Sequence, residues 1–303
     1  MRRLLLDKNE SFTYEPNELL VLSNYFTSKK DPQRNVFQQL NDFSYIKSWY
    51  ESIVKNKLNA IIFHDGLNMD FVNKYQTSKI RFVKCEIGDM SLNDERFFIF
   101  YEFLKKMDKN NYVLVTDIND VIIRKSPLEF FLKSPDRLFL GRDEKVNWRS
   151  GTWNLNKLKE FELKTKTKFP SSYIYYPVFN AGLIGGKVTT VNKLFGMMTE
   201  NFSTLNDEGN YNMVNLNWIL FNYYYKPSNK FLINLFSYDF MWKVNISMHC
   251  GKLSFLKSIF RENISNSTQG IINSQMIYSG FPFNSLFKKF EDPQTSKAYL
   301  IHK

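Results

Sequence analysis

The stretch Tyr112 to Pro127, YVLVTDINDVIIRKSP, decides the fold. Tyr112 to Thr116 is an apolar, β-branched and aromatic run that ends at a cluster of short polar acids. Such a run fits a buried central parallel strand better than a helix. Acids at the end of a strand lie where open α/β sheets place their ligand crevice. Asp117, Asn119 and Asp120 form a cluster of hard oxygen atoms suited to a divalent ion that also holds phosphate oxygens. An aspartate after a strand serves equally as a turn former or helix N-cap, so a chemical reading needs support from elsewhere in the chain.

Upstream, Glu18 to Phe26 (ELLVLSNYF) reads as a first buried strand, followed by the polar loop Thr27 to Arg34 with three cations. A helix is expected over Tyr45 to Lys57, with Ile46, Trp49, Tyr50 and Ile53 on one face. Ala60 to Phe63 is a second strand closed by His64, Asp65 and Gly66, and Lys79 to Lys84 a third. Leu92 to Arg96 opens a helix running to Lys106, and its acidic start suits the positive helix end. This β-α-β-β-α-β order, with acids after the last strand, describes a nucleotide-binding sheet in the first ~125 residues.

Downstream, Arg137 to Gly141 reads as another strand, and the charged stretch 142–170 as loop and short helix above the site. Val178 to Gly186, VFNAGLIGG, is apolar with small residues at its turning points. Helices are expected over Val191 to Phe202 and Tyr211 to Tyr223, and from 226 onward the chain is strand-poor and aromatic. There are no repeats and no low-complexity linker. The expected architecture is α/β, a single Rossmann-related domain with a central mixed, mostly parallel sheet flanked by helices. Residues 18–125 form its nucleotide-binding half and 126–303 its acceptor-binding half.

With 303 residues, 43% of them hydrophobic and 17% aromatic, the chain can bury a sizeable core and is not disordered as a whole. The net charge of +11, from 41 Lys and Arg against 30 Asp and Glu, favours an anionic partner: nucleotide, nucleic acid, polyanionic acceptor or anionic lipid surface. Cys85 and Cys250 stand far apart without metal-binding spacing, which argues against a disulfide scaffold or structural zinc. MRRLLLDKNESF is too short in apolar residues for a signal-peptide core, and no later run is long enough to span a bilayer. The expectation is a soluble, cytoplasmic protein. His64 reads as a packed or capping histidine. Trp148 and Trp153 read as loop pins ahead of sugar-stacking residues, and Trp218 and Trp242 as core.

Two distant segments add chemistry to the acid cluster. In Asn180-Ala181-Gly182-Leu183-Ile184-Gly185-Gly186 the glycines admit a bulky ligand to the backbone, and Asn180 offers both a donor and an acceptor to sugar hydroxyls. For Gly185-Gly186 a β-bulge or tight turn needing positive φ is the preferred explanation. At the end of the chain, Ala298 to Ile301 reads as a short strand. The His302-Lys303 that follows sets a metal-capable imidazole beside an ammonium able to neutralise a diphosphate.

An acid cluster after an apolar strand, an NAG-x-x-G-G segment, an Asn-rich helix and a late His-Lys together resemble a nucleotide-sugar glycosyltransferase of the GT-A fold. The likeness is to DxD-containing families of the glycogenin and galactosyltransferase group, and runs from about Leu20 onward. The resemblance implies a manganese or magnesium ion bridging the donor diphosphate, with a UDP-sugar favoured. Asp117 would touch the ribose or metal, Asn119 would take the second acid position, and Asp120 and His302 would be metal ligands. Lys303 would contact the diphosphate, and Asn180 and Gly182 would hold the donor sugar or line the acceptor side. Arg96 would stand near the nucleotide, and the loop around Thr27 would cradle the base. The chain departs from the family pattern in reading DIND, and in carrying Asn212 and Asn215 where related enzymes have an Asp-Gln pair.

The reaction implied is attack of an acceptor hydroxyl, on a glycan, protein or lipid-linked partner, at the anomeric carbon. Asp207, Glu208 or Asp143 are the carboxylates available as a base for inversion, while the late His pattern inclines toward retention. A phosphohydrolase of the haloacid-dehalogenase type is disfavoured by Asn119 at its second acid position. A basic nucleic-acid or polyanion-binding protein is disfavoured by scattered cations without a recognisable motif. A degenerate transferase that binds donor without turnover remains a related reading.

Overall fold

The computed structural model describes residues 3–5, 14–133, 135–147, 152–170, 177–205, 207–224, 271–272, 277–279 and 300–302. Its strands in chain order are β1 (Arg3–Leu4), β2 (Leu19–Tyr25), β3 (Asn59–His64), β4 (Ile80–Glu86), β5 (Tyr112–Thr116), β6 (Val121–Ile123), β7 (Leu138–Asn147), β8 (Pro177–Lys187), β9 (Ile271–Ile272), β10 (Ile277–Ser279) and β11 (Leu300–His302). The helices are α1 (Phe43–Lys55), α2 (Met69–Tyr75), α3 (Leu92–Leu104), α4 (Leu128–Lys133), α5 (Thr152–Thr165), α6 (Val188–Leu205) and α7 (Asn212–Ile219), the last continued by a π turn over Leu220–Tyr224. The sheet runs β1-β4-β3-β2-β5-β8-β7-β10-β11-β6, with β9 beside β7. β4, β3, β2 and β5 are parallel; β8 runs antiparallel to both β5 and β7. The fold is therefore α/β with a mixed sheet flanked by helices. Among the described residues no helix is long and apolar enough to cross a membrane.

Alternation along β2 explains why Leu19 to Leu22 is an unbroken apolar run. Leu19 and Val21 face one core with Ile46, Trp49, Ala60 and Ile62, while Leu20 and Leu22 face another with Ile61, Phe63, Phe97, Phe100 and Phe195. A strand covered on both faces has no polar positions to alternate with. Helix starts follow capping chemistry: Asp42 accepts from Ser44 N at α1, Asn68 from Phe71 N at α2, and Ser91 from Asp94 N at α3.

Several sequence expectations require correction. The first half contains an additional helix, α2, because only Phe71 and Val72 are buried in its seven residues and no periodicity shows. The stretch expected as loop from 142 continues β7 to Asn147 and then forms α5, a helix of 14 residues. Helix α1 begins and ends two residues earlier than expected, and the helix begun at Tyr211 gives way to a π turn after Ile219. Trp153 is exposed on α5, and Trp218 is only half-buried, donating its indole N–H to the Lys168 carbonyl. Trp148 and Trp242 lie outside the described residues. His64 is packed as expected: it is buried against Phe82, and burial lowers its imidazole to about 4, with Asp65 pulling upward and Lys84 downward.

Gly185 and Gly186 sit in the paired body of β8, opposite Leu114 and Val113. A Cβ on Gly185 would lie 2.6 Å from Phe131 Cζ, so the α4 ring rests directly on the strand. Gly186 has a φ of 145° and the Arg137 carbonyl 2.9 Å from its would-be Cβ. Both are packing glycines, and neither opens the backbone to a ligand. Gly185→Val is expected to lower stability by about 1–3 kcal/mol through overpacking, read as a lower urea midpoint. Adding Phe131→Leu should restore part of the loss, and no recovery would refute the contact as the cause.

Candidate active site

The carboxyl ends of β2, β3, β4 and β5 lie along one edge of the sheet, so the segments after them (26–42, 65–68, 87–91 and 117–120) share a rim. Thr116, the last residue of β5, is fixed from two sides. Ser23 Oγ donates to its carbonyl at 2.7 Å, and Trp49 Nε1 donates to its hydroxyl at 2.7 Å. Asp117 therefore leaves the sheet from a rigid base.

Beside it, β8 is irregular. Leu183 pairs with Thr116 on the β5 side, but against β7 one step from Leu140 to Gly141 corresponds to the whole stretch from Ile184 to Asn180. Ala181, Gly182 and Leu183 bulge relative to β7, and bulges re-aim backbone and side chains in this way. Three of the bulge's backbone groups find partners. Asp117 N donates to Gly182 O at 3.0 Å, Gly182 N donates to Asn180 Oδ1 at 2.6 Å, and Arg96 Nη2 donates to Ala181 O at 3.3 Å. Arg96 Nη1 pairs with the Asp117 carboxylate. Arg96, Asp117, Asn180 and Gly182, picked out separately in the sequence, thus form one constellation.

Three consecutive charged residues in the first turn of α3 each hold a different part of the rim. Glu95 accepts from Gly88 N and Met90 N, both at 2.9 Å, and shapes the segment after β4. Asp94 accepts from Tyr211 N at 3.0 Å, docking the start of α7, and from the Ser91 hydroxyl. Arg96 reaches β5 and β8. Burial pushes the Asp94 carboxyl up to about 6, against the opposing hydrogen bonds from Tyr211, Ser91 and Asn212.

The loop after β2 is pinned by Asp65, which accepts from Thr27 N (2.8 Å) and Oγ1 (3.3 Å), and from Ser28 N (3.1 Å) and Oγ (2.5 Å). Thr27 is therefore on the rim, with its backbone N–H and hydroxyl engaged. Farther along the loop, Asp31 pairs with Arg34. Tyr45, near the start of α1, lies in the field of this loop and the acid cluster together. Burial first, then the carboxylates of Asp117, Asp120 and Asp31, push its phenol well above the ordinary value, with Arg34 opposing. The phenol stays protonated, a neutral donor facing acids.

Asn119 and Asp120 occupy the turn between β5 and β6, both half-buried. Strand β11 pairs antiparallel with β6 and sets His302 opposite Val121, next in sequence to Asp120. A residue 182 positions from Asp120 is thereby brought to the acid cluster. The His302 side chain and Lys303 lie outside the described residues, as do the Asp143 side chain, His249 and Cys250. Among the described residues no three His, Cys, Asp or Glu side chains form a metal-like cluster. The two carboxylates of the turn, Asp117 and Asp120, are hard oxygen donors of the kind that a divalent ion such as Mn2+ or Mg2+ takes.

Asp207 and Glu208 lie elsewhere on the rim. Asp207 pairs with Lys164 and accepts from Gly209 N at 2.8 Å, in a network that includes Glu160 and Tyr211. Burial would raise the Glu160 carboxyl, but hydrogen bonds from Tyr211, Lys157 and Lys164 outweigh it and hold it at about 2. Glu208 is 75% exposed and stands 3.8 Å from Lys29 Nζ, which also donates to the Met90 carbonyl at 2.7 Å. The structure does not bring either acid to Asp117 by any hydrogen bond or ion pair among the described residues. The sequence reading missed Asp65, Asp94, Glu95 and Tyr45. Asp65 had a detectable signal, an aspartate directly after a buried strand, like Asp117.

No protein-family model matches the chain, and no curated protein sequence matches it. Among solved structures it is similar to a crystal structure of galactosyltransferase LgtC in complex with donor and acceptor sugar analogs. That match has 12% identity, covers 94% of this chain and 86% of the other, and has a TM-score of 0.45. It is also similar to an active-site mutant of LgtC, at 12% identity, the same coverages and a TM-score of 0.44. At that identity and TM-score the likeness carries no weight for this chain's chemistry.

Arg96→Met is expected to cost about 3 kcal/mol because it strands a partly buried carboxylate. Asp117→Asn in that background should recover part of it, and a double-mutant cycle in urea should give a coupling of about 1–3 kcal/mol. Asp94 supplies a pH signature. Its folded-state pKa is raised, so its contribution favours folding at low pH and is lost as pH rises through roughly 4 to 6, by about 3 kcal/mol. The stability of wild type relative to Asp94→Asn, measured by urea unfolding, should fall between about pH 4.5 and about pH 7.5.

Proposed function

We propose that the protein is a glycosyltransferase that moves a sugar from a nucleotide-diphosphate sugar, with UDP-sugars favoured, to an acceptor hydroxyl. The observation that carries this reading is the convergence of Asp117, Asp120, Arg96 and the β8 bulge at the carboxyl edge of a parallel sheet, with the backbone of His302 delivered beside them. Open α/β sheets bind nucleotides at this edge.

In this reading Thr27 and Ser28, held by Asp65, line the base and ribose end. Asp117, Asp120 and His302 would hold a manganese or magnesium ion, which when bound neutralises charge on the departing diphosphate. Lys303 would add a second positive charge there. Arg96 aims Asp117 through their ion pair. Asn180, whose Oδ1 accepts from Gly182 N, has its amide N–H2 left to orient sugar hydroxyls. Tyr45 stays a neutral donor, able to bond a sugar or phosphate oxygen. Asp207 is engaged by Lys164, and Glu208 is solvated with Lys29 near it, so neither is preorganised as a base. That engagement favours retention over inversion.

Binding of a ligand to the native state raises the melting temperature by mass action. A screen of UDP-, GDP- and CMP-sugars with and without Mn2+ is expected to give a metal-dependent shift with one nucleotide class. Asp120→Ala, and separately deletion of His302-Lys303, should remove that shift while the unliganded melting temperature is kept. Full donor binding by both variants would overturn the site assignment. Steeply salt-dependent binding to unrelated DNA or heparin without metal dependence would instead favour a polyanion-binding protein.

A further inference from the structure

Strand β5 ends at Thr116, opposite Leu183 of β8. Beyond that point β8 continues toward Pro177, with a strand partner only on its β7 side among the described residues. Backbone groups left open in a buried strand require partners. Asn217, on α7 and fully buried, supplies them. Its Oδ1 accepts from Phe179 N at 2.9 Å, and its Nδ2 donates to Phe179 O at 2.8 Å. The same Nδ2 donates to Met213 O at 2.8 Å, one turn back on α7, which fixes the amide's orientation. A side-chain amide has the donor and acceptor pair of a peptide group, so Asn217 acts as a one-residue substitute for the strand that β5 does not provide.

The clamped residue immediately precedes the site. Asn180, Ala181 and Gly182 follow Phe179 through the bulge, and their side chain and backbone contact Gly182 N, Arg96 and Asp117. From these contacts we infer that Asn217 is a positioning residue for the donor-sugar side of the site: it anchors the start of the bulge and thereby sets where Asn180 and the Ala181 and Gly182 carbonyls stand. It touches no substrate. The role of the bulge in donor binding rests on the transferase reading above; the clamp itself does not.

Two substitutions test the inference. Asn217→Leu removes donor and acceptor together. Asn217→Asp presents a carboxylate that repels the Phe179 carbonyl when ionised. When protonated it restores both bonds to Phe179, accepting from its N–H and donating to its carbonyl. A buried carboxyl titrates above its ordinary range, so the switch falls at accessible pH. Hydrogen exchange at the Phe179 and Gly182 amides should be faster by about tenfold or more in Asn217→Leu, the size expected for a lost buried hydrogen bond. For Asn217→Asp, the ratio of its affinity for the nucleotide-sugar found in the screen to that of wild type should rise by about tenfold from pH 8 to pH 5.5. A residue that only fills space would not produce that recovery.

Wild-type exchange rates at both amides in Asn217→Leu would overturn the clamp. If that variant does not fold, an Asn217→Asp exchange profile that does not slow, relative to wild type, as pH falls would overturn it equally. If wild type binds no nucleotide-sugar, the transferase reading fails by that result. The exchange measurements then still decide for or against the clamp. An Asn217→Asp affinity ratio independent of pH, with the exchange effect present, would refute its role in donor positioning.

Discussion

The buried Arg96 guanidinium and its pair with Asp117 constrain the rest of the site. A guanidinium removed from water must find acceptors in fixed directions, and Arg96 finds them on two different strands, the Asp117 carboxylate after β5 and the Ala181 carbonyl in β8. That requirement couples the acid turn to the bulge. It also explains why α3 begins where it does. Successive residues of a helical turn point about 100° apart, so Asp94, Glu95 and Arg96 fan out to α7, to the segment after β4 and to the centre of the site. Asp94 and Glu95 sit at the positive helix end, which offsets some of the cost of burying two carboxylates. The same turn would be an improbable surface sequence for a helix, because it would leave no apolar stripe.

Three acids gather at the rim although the chain is strongly basic. Asp117, Asp120 and Asp31 all act on Tyr45, and Arg96 and Arg34 pair with Asp117 and Asp31. Under the proposed reading, a cation held by Asp117 and Asp120 would offset the charge of a donor diphosphate there, and the overall +11 would raise the local concentration of an anionic donor.

What was legible in the sequence followed from local rules. Leu19 to Leu22 of β2, Ala60 to Phe63 of β3 and Tyr112 to Val115 of β5 are apolar runs covered on both faces, and α1 shows its stripe through Ile46, Trp49 and Ile53. The acid turn was visible because polar residues follow β5 abruptly. Elements shaped by partners far away were not legible. Helix α2 is short and buries two side chains, β6 has three residues, and α5 carries its charges into an ion network with Asp207 and Tyr211. The Gly185-Gly186 pair, read as a bulge or turn needing positive φ, lies within β8: Gly186 does take a positive φ, and Gly185 is the seat of Phe131, a contact that no spacing rule encodes. The position of His302 was not legible; its backbone is placed by the register of β11 on β6.

The asparagines of α7 show why residue type and not spacing alone matters. Asn215 and Asn217 are fully buried, and each bonds the backbone of a neighbouring element: Asn215 the Met198 carbonyl of α6, Asn217 both backbone groups of Phe179. Glutamine would add a rotatable bond to each contact and with it more conformational entropy to lose. A carboxylate could accept but not donate, and would add charge to a site whose acids already act together on Tyr45. Threonine could not span a peptide unit. Asparagine is the shortest side chain that offers a peptide's donor and acceptor without a charge. Helix α7 thus supplies backbone-like bonds to its neighbouring elements, while Asp94, Glu95 and Arg96 of α3 and the acids after β5 carry charge at the rim.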